Sequence, residues 1–171
     1  MKNLNTAKFF HDLFKNKRII KLYLAIVFPP PSKNEQYITS NIEKSHFSNV
    51  RKMTTSDIKG KFAKTYMKIL VKNSKYALAL LYPITGRTHQ LRVHMNHIGC
   101  SIIGDKKYKL NENFLDNENF LKLHSYVIKF PNQDFVKAPL PEHFINFMKE
   151  NKLDFDLEKI EKDFERKFKY E

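Results

Sequence analysis

Pro83-Ile84-Thr85-Gly86-Arg87-Thr88-His89-Gln90-Leu91-Arg92-Val93-His94-Met95 gathers the most informative chemistry of the chain into one short stretch. Pro83 and Gly86 bracket a turn. Leu91, His94, Met95 and Ile98 then recur at helical spacing, and Gly99 suits the position just past a helix C-terminus. The stretch therefore predicts a strand end, a tight turn at Thr85-Gly86, and a helix over Thr88–Ile98. Backbone N–H groups at a helix start attract anions. Arg87 and Arg92 add two fixed cations, which project in different directions if both are helical. Thr88 and Gln90 add neutral donors. Such a set suits a phosphate backbone, or a carboxylate that must stay ionised.

Other chemistries fit the same residues less well. His89, His94 and His97 are candidate metal ligands, but only His94 and His97 share a helical face. No Cys or carboxylate sits at ligand spacing beside them, which argues for no metal. The lone Gly86 lacks the spacing and the Gly-Lys-Ser/Thr ending of a P-loop. No nucleophile-elbow pattern supports a Ser–His–Asp triad. Plainer roles also fit: a surface salt bridge for the arginines, and a satisfied helix position for His94.

Working outward, three of the four glycines (Gly86, Gly99 and Gly104) fall in or just after this stretch. Upstream, Lys61–Val71 and Tyr76–Tyr82 read as strands joined by Lys72-Asn73-Ser74-Lys75, and Ile19–Phe28 reads as a strand stopped by Pro29-Pro30-Pro31. Thr6–Asn16 predicts a short helix with Ala7, Phe10, Leu13 and Phe14 on one face and Thr6 as its N-cap. Short strands are expected near Gln36–Ile42 and Asn49–Thr54. Downstream, Gly104-Asp105 marks a turn, Asn111–Asn119 a loop, Leu123–Phe130 a strand and Glu142–Lys152 a helix. Asp154–Glu171 carries Phe155, Leu157, Ile160, Phe164 and Phe168 near helical spacing, an amphipathic helix.

The whole chain has 171 residues, enough for one core. Fifteen Phe and eight Tyr exclude a wholly disordered chain, because those rings need somewhere to pack. No apolar run approaches the length of a membrane span, and no signal-peptide core is visible at the start. A single Cys, Cys100, excludes an intramolecular disulfide. These features lead to the expectation of a cytoplasmic protein with no membrane partner. The 31 Lys+Arg against 18 Asp+Glu give a net charge of +13, which favours a polyanionic partner, most often nucleic acid.

The stretch Pro83–Met95, followed by Gly99, Ile103-Gly104-Asp105 and Tyr108, strongly resembles the C-terminal signature of RluA-type pseudouridine synthases. Lys21-Leu22-Tyr23-Leu24-Ala25 resembles the family's Lys-x-Tyr-x-Ala strand, and Ala63-Lys64-Thr65 its Ala-x-Thr strand. Leu123-His124-Ser125 and Ala138-Pro139-Leu140-Pro141 are similar to the closing strand and its exit. The likeness runs over roughly residues 2–145, in order.

The resemblance implies an α+β fold, a mixed, mainly antiparallel sheet with flanking helices. Residues 1–150 would form the C-terminal portion of the catalytic domain, and residues 151–171 an amphipathic helix outside the match. It implies an isomerase that converts a flipped-out uridine of RNA to pseudouridine, with ribosomal RNA the expected substrate, and with no metal and no organic cofactor. Tyr23 would be the active-site tyrosine and Arg92 the arginine that pairs with the catalytic aspartate. Lys21, Arg87, Thr88, His89 and Gln90 would contact RNA.

The family carries that aspartate in an Arg-Leu-Asp segment upstream of the Lys-x-Tyr strand, and no such triplet occurs here. Asp12, Asp57 and Asp105 do not fit the motif, and Asp105 reads as structural. The expectation is a chain that starts just after the nucleophile, leaving Arg92 without its carboxylate and strand edges uncovered. It would be inactive alone, as one half of a split enzyme with the rest on a separate chain, as a mis-set start, or as an RNA-binding remnant.

Overall fold

β1, Ile20–Phe28, is the axis of the molecule, and its period-two pattern sets both faces of the sheet. Leu22, Leu24 and Ile26 point into one apolar cluster. Tyr23, Ala25 and Val27 point into another. The computed structural model describes residues 3–16, 18–45, 52–110, 118–131, 135–160 and 162.

In chain order the remaining elements are α1 (Leu4–Lys15), β2 (Glu35–Lys44), β3 (Met53–Ser56), β4 (Lys61–Lys72) and β5 (Ala77–Pro83). They continue with α2 (Gln90–His97), β6 (Ser101–Ile102), β7 (Leu123–Lys129), β8 (Phe135–Lys137) and α3 (Glu142–Glu150). The strands lie in the order β3-β2-β4-β5-β1-β7-β8, with β6 paired to β1. Each described pairing is antiparallel. No described helix is long and apolar enough to cross a membrane.

Two layers cover the centre of the sheet. On one face Phe144, Phe147 and Met148 of α3, with Leu153 and Ile160, pack on Leu22, Leu24, Ile26 and Leu78. On the other, Leu91 and Met95 of α2 pack on Ala25, Ala77, Ala79 and Leu81. Ala25 stands opposite Ala79 and Val27 opposite Ala77. These small side chains let the α2 axis come close to the sheet. Each fully buried leucine contributes about 2 kcal/mol through removal of apolar surface from water.

Element boundaries depart from the sequence expectations at identifiable points. α2 starts at Gln90 rather than Thr88, because His89 adopts a left-handed φ of 54° that a helix cannot include. Arg87 therefore lies in the loop, and Arg92 is the helical arginine of the two. α1 starts at Leu4, so Thr6 is inside it and does not cap it; Ala7 is exposed while Leu13 is buried. α3 stops at Glu150, two residues early. β3 begins at Met53, later than the expected Asn49–Thr54, of which residues 49–51 lie outside the described residues. β6 and β8 were not expected at all, being two and three residues long.

The expected tail helix is seen as one turn over residues 157–160. Phe164 and Phe168 lie outside the described residues, as do the side chain of Phe14 and residues 111–117 of the expected loop. Gly99 and Gly104 hold the turn positions assigned to them, at φ of 79° and 76°. At Gly104 the need is double: a Cβ there would stand 2.2 Å from the Phe120 carbonyl oxygen.

Candidate active site

Arg92 is fixed before any ligand arrives. Its Nε donates to Asp105 Oδ2 at 2.8 Å and its Nη2 to Asp105 Oδ1 at 2.6 Å. Asp105 is buried at 1% exposure. The same Oδ1 also accepts the backbone N–H groups of Lys107 and Tyr108. Burial acts to raise the Asp105 pKa, but the Arg92 guanidinium and the two backbone donors outweigh it and hold the carboxyl below its usual range. The Arg92 pKa is raised, chiefly by the hydrogen bond to Asp105. The expectation that Arg92 stands without a carboxylate partner is thus corrected: the Gly104-Asp105 turn supplies one.

Three further contacts, all made by Tyr108, brace this ion pair. The Arg92 guanidinium lies 4.9 Å from the centre of the Tyr108 ring. The Tyr108 hydroxyl oxygen accepts the N–H of Met53 at 2.9 Å, and the hydroxyl lies 2.8 Å from His89 Nδ1. The His89 pKa is lowered, first by burial and then by the charges of Arg92 and Lys107, with Asp105 opposing.

Beneath the helix start runs a buried polar chain. Gln90 Nε2 donates to the Lys64 carbonyl and to Thr65 Oγ1, while Gln90 Oε1 accepts the Thr85 hydroxyl and the Arg87 N–H. All four hydrogen-bonding positions of the Gln90 amide are used inside the protein. Thr85 Oγ1 in turn accepts the Lys64 N–H. Thr65 Oγ1 is 2.9 Å from His94 Nδ1, and Ser40 Oγ is 3.2 Å from His94 Nε2. His94 is fully buried, a satisfied helix residue, and burial followed by the nearby His97 drives its pKa down to about 4. Among the described residues no buried side-chain nitrogen or oxygen lacks a partner. This chain fastens the Thr85–Gln90 loop to β4, and so fixes where Arg87 leaves the backbone. Arg87 itself donates Nε–H to the Phe62 carbonyl at 3.0 Å.

Lys21, Tyr23, Arg87, His89, Gln90 and Arg92 all line one open cleft of about 250 Å³. Lys21 and Tyr23 are two apart on β1 and so share the α2 side of the sheet. Lys21 has its pKa lowered by burial, and its ammonium lies 3.8 Å from where a Gly86 side chain would begin. Thr88 is exposed and is not among the lining residues. Leu123, at the start of β7, also lines the cleft, and among the described residues no Asp or Glu does. A larger adjoining cleft of about 420 Å³ shares Lys21, Gly86 and Arg87 and adds His11 and Lys15 from α1.

Two partnerships were not legible in the sequence. Asp105 reads as structural and is so in the fold, but its pairing with Arg92 carried no signal. Ser40 gave no signal, because it meets His94 only through the β2–β4 pairing. Among the described residues no group of three or more His, Cys, Asp or Glu is placed to hold a metal.

Comparison with known proteins gives one answer at three levels. A profile of the RNA pseudouridylate synthase family matches residues 2–97. The ribosomal large subunit pseudouridine synthase C of Rickettsia bellii is 37% identical over 150 residues, covering 84% of this chain and 49% of that protein. The ribosomal large subunit pseudouridine synthase D of Borreliella burgdorferi is 34% identical over 167 residues, covering 93% of this chain and 51% of that protein. This chain thus spans about half the length of these relatives. The solved structure of human RNA pseudouridylate synthase domain containing 1 superposes with a TM-score of 0.70 at 26% identity, over 82% of this chain and 62% of that one. Human RNA pseudouridylate synthase domain containing 4 shares the fold, with a TM-score of 0.71 at 22% identity over 88% and 69%.

Proposed function

We propose, since this chain belongs to the RNA pseudouridylate synthase family, that its cleft receives a uridine flipped out of RNA for isomerisation to pseudouridine. The observation that carries this is the convergence of Tyr23 from β1 and Arg92 from α2 on one cleft walled by Lys21 and Arg87. Tyr23 offers a ring face and a hydroxyl beside the base. Arg92 presents a guanidinium whose Nε and Nη2 are held by Asp105, so its Nη1 edge is aimed, not searching. Lys21 and Arg87 suit the phosphates on either side of the flipped nucleotide. Gln90 acts behind them by fixing the loop. The names of the relatives make ribosomal RNA the substrate of choice.

The reaction class needs a carboxylate at the sugar of the target nucleotide. Among the described residues no Asp or Glu lines the cleft, and Asp105 is buried against Arg92. On this reading the 171 residues bind and orient RNA, and a carboxylate from outside them does the covalent step. The Arg92 Nη1 edge is where such a carboxylate would be held ionised. A cleft of this kind with no chemistry of its own, an RNA-binding remnant, is the alternative, and it is consistent with the lack of a lining acid among the described residues.

The test is a pseudouridine-specific readout on ribosomal RNA. The chain alone should leave uridine unchanged. Supplying an Arg-Leu-Asp-bearing segment of a relative, fused ahead of residue 1 or as a second chain, should produce pseudouridine, and Arg92→Met should abolish it. Turnover by the chain alone would refute the assignment of the carboxylate to a source outside it. A complemented chain that binds RNA but never turns over would favour the remnant.

A further inference from the structure

The sheet carries a second aromatic surface on the face away from α2. Tyr37 of β2 stands opposite Tyr66 of β4, and Tyr66 stands opposite Tyr82 of β5. Three tyrosines thus form a row across three neighbouring strands. The Tyr37 and Tyr66 rings are 5.4 Å apart. Tyr37 is 57% exposed, and Phe62, further along β4 on the same face, is 54% exposed. Between them Lys64 places its Nζ 4.4 Å from the centre of the Tyr37 ring. The layer formed by α3 and the residues after it covers this face of the sheet over β1 and β5 and reaches Tyr82. Over β2 and the first half of β4 the rings are left half-open to solvent.

The row leads somewhere. Tyr82 also lines the larger cleft, beside His11, Lys15, Lys21 and Arg87. A chain lying along Tyr37, Tyr66 and Tyr82 would arrive at that basic wall, and the wall is shared with the cleft of Tyr23 and Arg92. Rings on an open antiparallel sheet, with a lysine between them and cations at one end, are what a single strand of nucleic acid requires. Each base stacks on a ring face, and the phosphates follow the cations.

We propose that the Tyr37–Tyr66–Tyr82 face binds an unpaired stretch of RNA next to the target nucleotide. The proposal rests on the RNA-modifying reading above and extends it from the cleft to the other side of the sheet. Tyr37 is the stacking residue at the outer end, and Lys64 exchanges its ring contact for a phosphate when a base arrives. Glu35, whose Oε1 accepts the Tyr66 hydroxyl at 2.5 Å, and Glu43 on the same strand face oppose an anionic chain. Stacking on the rings, with the pull of Lys64, Lys68 and the basic wall, has to exceed that repulsion. The sign of the Glu35 effect is therefore a second test, independent of any aromatic.

The experiment is fluorescence anisotropy of the 171-residue chain with a labelled single-stranded RNA of about twelve nucleotides, within the range such surfaces cover. A duplex of the same length serves as the comparison. Tyr37→Ala should weaken single-strand binding about tenfold and duplex binding much less, since stacking needs an unpaired base. Tyr37→Phe should restore binding, and Glu35→Gln should strengthen it about threefold by removing a like charge. Tyr37→Ala binding as tightly as the unaltered chain, while Arg87→Gln weakens binding, would overturn the second surface and leave the cleft reading intact. Weaker binding on Glu35→Gln would also overturn it. No binding of either RNA by the unaltered chain would overturn both readings together.

Discussion

The Arg92 guanidinium and the Asp105 carboxylate meet edge to edge across a turn, with two nitrogens on two oxygens at 2.8 and 2.6 Å. They come from two parts of the same signature, thirteen residues apart in sequence. Asp105 lies in the interior while Arg92 reaches the cleft, so the pair carries charge from the core to the surface. A carboxylate anchored by two backbone N–H groups cannot swing out to act on a substrate, but it sets the plane of the guanidinium in front of it.

Removing both members of this pair should cost less than the sum of removing each alone. Asp105→Asn leaves a guanidinium against a neutral amide and is expected to lower unfolding free energy by about 3 kcal/mol. Adding Arg92→Met to Asp105→Asn should cost clearly less than the two single changes summed, the mark of a direct interaction. Urea unfolding of the four proteins measures this. The pH sign follows from the depressed Asp105 pKa. Its contribution is fully present above the unfolded-state value near 3.9 and is lost as pH falls through the folded one. Additive losses would mean that the contact contributes nothing to stability.

His94 gives a second pH dependence in a different window. Its pKa drops from the ordinary 6.5 to about 4 in the folded chain, so it stays neutral where the unfolded chain would take up a proton. Stability is therefore full above about pH 6.5 and falls between there and about 4, by roughly 3 kcal/mol from this group. His94→Gln removes the titration. Unfolding measured at several pH values should give a shallower slope for the variant across that window. A residual slope from His89, whose pKa is also lowered, should remain. Parallel slopes for the two proteins would show that His94 is not held neutral.

The sheet and α2 were legible because their signals are periodic and local. The alternation in β4 and the Leu91–Met95 face survive any choice of tertiary partner. The helix start was not legible, because nothing in Thr88-His89-Gln90 announces that His89 will take a left-handed conformation. The site was half legible. The motif pointed to Arg92 and Arg87, which the fold brings to one cleft, and to the turns, but the partners of Arg92 and His94 are set by topology. Asp105 reaches Arg92 across the Gly104 turn, and Ser40 reaches His94 across a strand pairing. β6 and β8 are too short for any periodic signal to register.

Two glycines with similar φ should respond very differently to alanine. At Gly104 the added Cβ meets the Phe120 backbone at 2.2 Å, and both sides of the clash are main chain. Gly104→Ala should therefore cost about 3 kcal/mol or more and displace the Asp105 carboxylate from Arg92. Gly99, at φ 79°, has nothing within 4 Å of the same atom. Gly99→Ala should cost about 1 kcal/mol, the conformational term alone. Comparable unfolding midpoints for the two variants would contradict the crowding at Gly104.

The last prediction concerns how the cleft holds RNA. The net charge of +13 and the wall formed by Lys15, Lys21 and Arg87 predict binding that weakens steeply with salt, as condensed counterions are released. Arg87 is the informative residue, because its backbone is fixed by Gln90 and its Nε is tied to the Phe62 carbonyl. The rest of its guanidinium is thereby presented at a set position on the wall. Arg87→Gln should lower affinity for structured RNA to a similar degree whatever the sequence, since a phosphate contact carries no base information. It should also reduce the slope of log affinity against log salt by about 1, the signature of one lost phosphate contact. Gln90→Ala should produce part of the same change without removing any charge, because it frees the loop that aims Arg87. Titration at several salt concentrations reads both quantities at once. An Arg87→Gln protein that loses affinity for one sequence alone, at unchanged salt slope, would assign Arg87 to a base instead of the backbone.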